Sequence, residues 1–111
     1  MSTFQIKKLT PSLGAEIIGD KIFDNLSSDI CDQIYKTLIE NKVIFFQNQN
    51  ISNEQHINFA KSFGDIDPPH PVYPHVDLFP EIVLLENDVD NPPDTDVWHT
   101  DVTFRENPAF A

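Results

Sequence analysis

The most informative segment of this chain is Trp98-His99-Thr100-Asp101-Val102-Thr103-Phe104. His99 and Asp101 are two residues apart, and the β-branched and aromatic residues around them favour an extended strand. Side chains two positions apart on a strand point to the same side, so we expect this imidazole and this carboxylate to be presented together. A histidine nitrogen and a carboxylate oxygen are two of the three ligands in the facial triad of non-haem Fe(II) oxygenases.

The His-x-Asp spacing by itself does not select this pair. Because 12 of the 111 residues are Asp, an accidental His-x-Asp is common in a chain with four histidines, and a second one occurs at His75-Val76-Asp77. His75 lies in a proline-dense stretch that is typical of a loop, whereas a strand would hold His99 and Asp101 rigidly. The alternative is a surface loop in which Asp101 accepts a hydrogen bond from a neighbouring backbone amide.

Composition and charge limit which classes of molecule the protein is expected to bind. A chain of 111 residues is one domain at most, or a piece of one, and 40% hydrophobic residues with nine Phe suffice for a core. The net charge of −11 argues against nucleic acid or an anionic membrane surface as partner. Since Arg105 and six lysines are the basic side chains, an anionic ligand would need positive charge from further sequence.

Cysteine usage and hydropathy indicate the compartment. The single Cys31 excludes an internal disulfide, suits a reducing environment and is most simply a small buried hydrophobe. Residues 1–8 lack the apolar segment of a secretory signal, and apolar runs such as Val43–Phe46 are far shorter than a membrane span. We therefore expect a soluble, cytoplasmic protein.

Hydrophobic patterning predicts four short strands, at residues 4–9, 15–18, 43–46 and 82–85. The last two are wholly apolar, so we expect them to be buried on both faces. Between the strands, residues 67–80 contain five Pro and two His and indicate a fixed loop, and the acidic residues 87–96 indicate a surface loop.

Two amphipathic helices complete the pattern. The first helix begins at Ser27 or Ser28. Its predicted buried stripe repeats at i, i+4 and i+8 and consists of Ile30, Ile34 and Leu38. The adjacent residues Cys31, Tyr35 and Ile39 widen this stripe. The second begins with a capping box from Ser52 to Gln55 and ends at Gly64, with His56 solvated and an inner face of Ile57, Ala60 and Phe63. These elements indicate an α+β, mainly β domain or the opening of a β-sandwich.

Three segments of the chain resemble the taurine dioxygenase (TauD/TfdA) family of Fe(II)- and 2-oxoglutarate-dependent dioxygenases. They are the hexad His70-Pro71-Val72-Tyr73-Pro74-His75, the tetrad Asn91-Pro92-Pro93-Asp94 and the heptad that begins at Trp98. Residues 13–17 and 59–64 support the resemblance, which runs the full length of the chain in order but covers well under half of a complete family member. We therefore expect residues 1–111 to be the front part of a larger protein.

The resemblance implies a double-stranded β-helix (jelly-roll) core with an N-terminal α/β elaboration. Residues 1–111 would supply that elaboration and the first strands of the jelly roll, and His99 and Asp101 would be iron ligands. Family members convert 2-oxoglutarate and O2 to succinate and CO2 while they hydroxylate the substrate. Hydroxylation beside a sulfonate or sulfate ester releases sulfite or sulfate, so a small sulfonate such as taurine or an alkyl sulfate ester is the expected substrate.

The resemblance also implies substrate contacts. His70 and Tyr73 would meet the sulfonate end and the amine side of a taurine-like substrate, and Val102 would offer its backbone N–H to the same oxyanion. Taurine-cleaving members have Asn where this chain has Thr95, which favours other sulfonates or sulfate esters. From the residues alone, His70 is more simply a loop histidine and Tyr73 a packing aromatic.

Two family features lie downstream of the resemblance and have no counterpart among these 111 residues: the distal histidine ligand and the arginine that grips 2-oxoglutarate. The alternative to an enzyme is therefore a truncated, catalytically inactive family fragment. An acidic interaction module is a third possibility, but it leaves the heptad unexplained. The resemblance leaves open whether the full-length protein forms a homo-oligomer.

Overall fold

The computed structural model describes residues 4–69, 72–93, 97–101 and 104–107. The chain divides into two compact units, residues 1–65 and 66–111. The first unit carries a three-stranded sheet and two helices, and the second carries a β-hairpin followed by irregular segments. Within the described ranges, no helix has the length and apolar character needed to cross a membrane.

The sheet of the first unit consists of β1 (Gln5–Lys8), β2 (Ala15–Ile18) and β3 (Ile44–Phe46), in that order. β1 and β2 are antiparallel, whereas β2 and β3 are parallel and place Ile17 opposite Phe46. A parallel pair needs a long crossover, which the first helix supplies between β2 and β3. The strands expected at residues 4–9 and 15–18 are confirmed.

The expectation that residues 43–46 are buried on both faces is wrong. Val43 and Phe45 are 37% and 47% exposed, whereas Ile44 and Phe46 are half-buried and pack against the core. β3 lies at one end of the three-stranded sheet, and one of its faces contacts the core. A wholly apolar run does not reveal this difference between its two faces.

Helix α1 (Ser28–Asn41) begins where the sequence predicts, with Ser27 as N-cap accepting a hydrogen bond from Ile30 N at 3.3 Å. Its buried stripe differs from the expected one, because Tyr35 and Ile39 are 46% and 53% exposed. Cys31 and Leu38 are half-buried, and the buried positions are Ile30, Ile34, Thr37 and Asn41.

Hydrogen bonds within and beyond α1 explain why two polar side chains take these buried positions. Thr37 Oγ1 donates to Gln33 O at 2.7 Å, and Asn41 Nδ2 donates to Thr37 O at 2.9 Å. The Asn41 carbonyl accepts from Gly14 N at 2.8 Å, which ties the end of α1 to the start of β2. Because both side chains have partners, their burial leaves no polar group unsatisfied.

Helix α2 (Asn53–Lys61) has the predicted capping box: Ser52 Oγ accepts from Gln55 N at 3.1 Å, and Gln55 Oε1 accepts from Ser52 N at 2.9 Å. Its inner face differs from the prediction, because Ala60 is exposed and Phe59 is half-buried. Phe59 contacts three other aromatic rings at centroid distances of 4.8 to 5.8 Å, those of Phe23, Phe46 and Phe63. His56 is exposed, as expected.

The core of the first unit lies between the sheet and the helices. Its buried members are Phe4, Ile17, Ile22, Phe23, Ile30 and Ile34. A single 3-10 turn, Ile22–Asp24, contributes two of them and is held to α2 by Gln55 Nε2, which donates to Asp24 Oδ1 at 2.6 Å. This core involves side chains from nearly every element of the first unit.

The second unit begins with a hairpin of β4 (His75–Val76) and β5 (Phe79–Val83). The prediction of an irregular loop over residues 67–80 is therefore wrong for its second half. Leu78 adopts a left-handed φ of 67° in the turn that connects the strands, which sequence patterning did not indicate. The predicted strand at residues 82–85 exists but begins earlier and ends at Val83.

Burial of the second unit also differs from the prediction. Leu84 and Leu85 are 47% and 71% exposed, so the expected strand buried on both faces is not found. The acidic loop is confirmed for residues 87–93, which are irregular and exposed. In that loop, Asp88 Oδ1 accepts from the backbone amides of Asp90 and Asn91 at 2.9 and 2.7 Å.

Candidate metal centre

The predicted ligand pair His99 and Asp101 lies in the second unit, and its side chains are close together. His99 Nε2 is 3.2 Å from Asp101 Oδ1, and the two side chains are 52% and 87% exposed. Residues 97–101 do not form the strand that the sequence predicts; they are irregular, with a turn at Asp101. The side chains thus converge through local backbone geometry and not through the alternation of a β-strand.

The contact of the other ring nitrogen of His99, Nδ1, determines whether Nε2 can act as an acceptor or a metal ligand. Nδ1 lies 2.7 Å from the carbonyl oxygen of Val97. A carbonyl only accepts, so Nδ1 carries the proton, and in the neutral ring Nε2 presents its lone pair to the Asp101 carboxylate. Two acceptors that face each other are stabilised by a cation between them, which is either a proton on Nε2 or a metal ion.

The distance between these atoms fits a shared metal ion as well as it fits a direct ion pair. Two ligand atoms that each lie about 2.1 Å from one metal ion and meet at a right angle are about 3.0 Å apart. The 3.2 Å separation of Nε2 and Oδ1 matches this value closely. The Val97 carbonyl also plays a part that is common at metal sites, since an acceptor on the second ring nitrogen holds a ligating histidine in the required tautomer.

His99 and Asp101 would supply two ligands to a metal ion, counted over the part of the chain that the structure describes. No group of three or more His, Cys, Asp or Glu side chains in these residues could hold a metal ion.

The second His-x-Asp sequence is arranged differently. His75 lies in β4 and its Nδ1 is 2.9 Å from the carbonyl oxygen of Val76, whereas Asp77 lies in the hairpin turn. Among the described residues, the ion pairs do not include one between His75 and Asp77. The two motifs therefore share a spacing but not a geometry.

Of the other predicted site residues, Tyr73 lies among the described residues. His70, Thr95 and Val102 lie outside the described residues. Tyr73 lies between the start of the second unit and β4, and it is 38% exposed. Trp98, next to His99, is fully exposed.

The structure adds one charged contact that sequence reasoning missed. Arg105 Nη1 is 2.8 Å from Asp67 Oδ1, and the Arg105 guanidinium lies 5.9 Å from the centre of the Phe104 ring. The chain's one arginine is thus paired with a carboxylate. No spacing rule links residues so far apart in sequence, so no signal in the sequence alone pointed to this pair.

The family model described as "Taurine catabolism dioxygenase TauD, TfdA family" matches residues 5–111. The chain belongs to this family. The match covers nearly all of the chain, including residues 98–104, and it confirms the resemblance expected from the heptad and the hexad.

Among curated TauD/TfdA relatives, the alkylsulfatase of Acinetobacter baylyi is 36% identical over 90% of this chain. The alpha-ketoglutarate-dependent sulfate ester dioxygenase of Pseudomonas putida is 37% identical over 85% of this chain. The chain spans 31% of the length of each of these two relatives.

A crystal structure of a taurine dioxygenase from Burkholderia xenovorans is also similar. It superposes with a TM-score of 0.64 and 35% sequence identity, and the match covers 71% of this chain and 28% of that one. Most of the present chain therefore shares its fold with part of that taurine dioxygenase.

Proposed function

We propose that this chain is the N-terminal part of a jelly-roll dioxygenase that depends on Fe(II) and 2-oxoglutarate. The proposed substrate is a small sulfonate or an alkyl sulfate ester, from which hydroxylation releases sulfite or sulfate. The proposal rests mainly on one observation: His99 Nε2 and Asp101 Oδ1 lie 3.2 Å apart. The chain that carries them matches the family from residue 5 to residue 111.

His99 and Asp101 would hold the iron through Nε2 and a carboxylate oxygen, with a third ligand from outside this chain. When bound, iron supplies the activation of O2 with 2-oxoglutarate that substrate hydroxylation requires. The Val97 carbonyl keeps the His99 ring turned so that Nε2 is available. Iron fits these residues because imidazole and carboxylate form the ligand set of non-haem Fe(II) oxygenases.

Positive charge for the anionic cosubstrate and substrate would come largely from outside this chain. Arg105 is paired with Asp67 at 2.8 Å, and the net charge of the chain is −11. Guanidinium groups bind carboxylates in a bidentate manner, which suits 2-oxoglutarate. The arginine expected downstream in the family would meet this need. The cytoplasmic location and the oligomeric state stay predictions.

Two curated relatives point to a sulfate ester as the substrate. They are named as an alkylsulfatase and a sulfate ester dioxygenase, whereas a third curated relative is named as a sulfonate dioxygenase and the similar crystal structure as a taurine dioxygenase. Thr95 stands where taurine-cleaving family members are expected to have Asn, which is consistent with a substrate that lacks an amine.

We therefore expect the full-length protein to release sulfate from a medium-chain alkyl sulfate faster than it releases sulfite from taurine. Thr95→Asn should shift the ratio of the two kcat/KM values towards taurine, because the amide would accept a hydrogen bond from the amine. Both rates are measured by succinate formation in the presence of Fe(II). A Thr95→Ser variant, which keeps the hydroxyl, is the matched control. An unchanged ratio in Thr95→Asn would show that Thr95 does not contact the substrate.

His70 and Tyr73 are proposed to bind the oxyanion end of the substrate. Tyr73→Phe and His70→Ala should raise the KM for the sulfonate or sulfate ester about 10- to 100-fold while changing the KM for 2-oxoglutarate little. Loss of one hydrogen bond to a charged group costs about 1.5–3 kcal/mol, which sets this range. Steady-state kinetics with each cosubstrate varied in turn measure the two constants. Equal effects on both would indicate a structural loop.

A further inference from the structure

The Asp67–Arg105 ion pair joins the two ends of the second unit. Asp67 lies at its start, before the hairpin, and Arg105 lies four residues after Asp101. The two side chains are 47% and 39% exposed, so solvent screens their attraction less than it screens that of a fully exposed pair. Arg105 also packs over the ring of Phe104.

Residues 97–101, which carry His99 and Asp101, lack other means of being held in place. Residues 97–101 form no strand, and both His99 and Asp101 are largely exposed, so neither strand pairing nor burial holds them in place. The Val97 carbonyl restrains the His99 ring on one side of the pair. On the other side, the chain runs through the turn at Asp101 to Arg105, where the ion pair anchors it to Asp67.

The anchor at Asp67 is itself restrained. Two prolines, Pro68 and Pro69, follow it directly, and their rings fix the backbone dihedral φ and also restrict the residue that precedes each of them. A carboxylate on such a backbone loses little freedom when it binds a guanidinium. The pair therefore joins a stiff segment to the bend at Arg105, four residues after Asp101 in the sequence.

We propose that Asp67 and Arg105 are positioning residues that hold the segment carrying His99 and Asp101 in its metal-binding arrangement. They would act on His99 and Asp101 by fixing where the chain lies at Arg105, without binding the metal ion themselves. This inference rests on the proposed function for the role of His99 and Asp101, and it assigns to the chain's one arginine a task other than binding substrate.

The test measures Mn(II) affinity of the full-length protein by calorimetry, with Mn(II) as the only added metal. Asp67→Asn and Arg105→Gln should each weaken Mn(II) binding about three- to tenfold, which is the range for a half-exposed ion pair whose loss disturbs a metal site. The charge-swapped double variant, Asp67→Arg with Arg105→Asp, should recover most of the affinity. The difference from wild type should shrink at 1 M salt, where the Debye length is about 3 Å.

Glu40→Gln is the matched control, because it removes the exposed Lys36–Glu40 pair of α1 in the other unit. It should leave Mn(II) affinity unchanged, and a melting curve of each variant checks that the fold is intact. If the swapped variant does not fold, Arg105→Lys takes its place and should keep more affinity than Arg105→Gln.

The inference would be overturned by unchanged Mn(II) affinity in both single variants. It would also be overturned if Glu40→Gln weakened binding as much as Asp67→Asn. Failure of the proposed function looks different, because Asp101→Ala would then bind Mn(II) as tightly as the wild type does.

Discussion

Asp101→Ala in the full-length protein is expected to abolish succinate formation from 2-oxoglutarate, and His99→Ala is expected to do the same. Each substitution removes one of the two atoms that face each other at 3.2 Å. Changes to residues that hydrogen-bond directly to a metal ligand cost roughly 10- to 100-fold, so loss of the ligand itself should exceed about 100-fold. Succinate assays and the iron content of the purified variants measure the effect.

His75 and Asp77 provide an internal control for this prediction. They have the same spacing as the ligand pair, but His75 faces the carbonyl of Val76 and Asp77 lies in a hairpin turn. Asp77→Ala should keep its iron and most of its succinate formation. The ligand assignment would be wrong if Asp77→Ala lost iron while Asp101→Ala retained it.

Residues 1–111 on their own are expected to give no succinate above background, even when loaded with Fe(II). Two ligands hold a metal ion weakly, and the chain's one arginine is occupied by Asp67, so 2-oxoglutarate has no guanidinium to bind. Incubation of the purified chain with Fe(II), 2-oxoglutarate, O2 and an alkyl sulfate, followed by succinate detection, measures this. Turnover by this chain would contradict the prediction and also the view that further sequence completes the site.

The same chain should expose apolar surface. None of the described residues of the second unit is buried, and several of its large apolar side chains are more than 80% exposed: Leu78, Val89, Trp98 and Phe104. Surfaces of this kind are covered by other parts of a protein or by a partner. We expect strong binding of a hydrophobic dye and a broad thermal transition. A sharp cooperative melt without dye binding would contradict this expectation.

The sequence predicted those parts of the fold that depend on neighbours along the chain. The Ser52–Gln55 capping box formed as expected because its two hydrogen bonds join residues three apart. β2 has the predicted bounds because two glycines bracket its apolar residues. The N-cap at Ser27 is local in the same sense.

The sequence predicted less well which side chains of an element turn inward and how deeply they are buried, because both depend on the other elements that pack against it. Phe59 and not Ala60 turns inward, since three aromatic rings from other parts of the first unit meet it there. Thr37 and Asn41 take the buried positions on α1 because each has a hydrogen-bond partner. Hydrophobic periodicity does not carry this information.

In the candidate site, too, the sequence predicted local features better than contacts between distant residues. The heptad identified His99 and Asp101 although the strand expected to present them did not form in residues 97–101. The two side chains do lie together, 3.2 Å apart, but the backbone argument for their convergence was wrong, and their role as metal ligands stays a prediction. The Asp67–Arg105 contact joins distant parts of the chain, and only the folded structure reveals it.

Trp98 provides an intrinsic fluorescent probe next to the candidate site. It is the chain's single tryptophan, it is fully exposed, and it adjoins His99. In residues 1–111 on their own, indole emission therefore originates one residue from His99 and nowhere else. Binding of a quenching metal ion such as Mn(II) to these residues can be followed as a loss of native fluorescence, without a label.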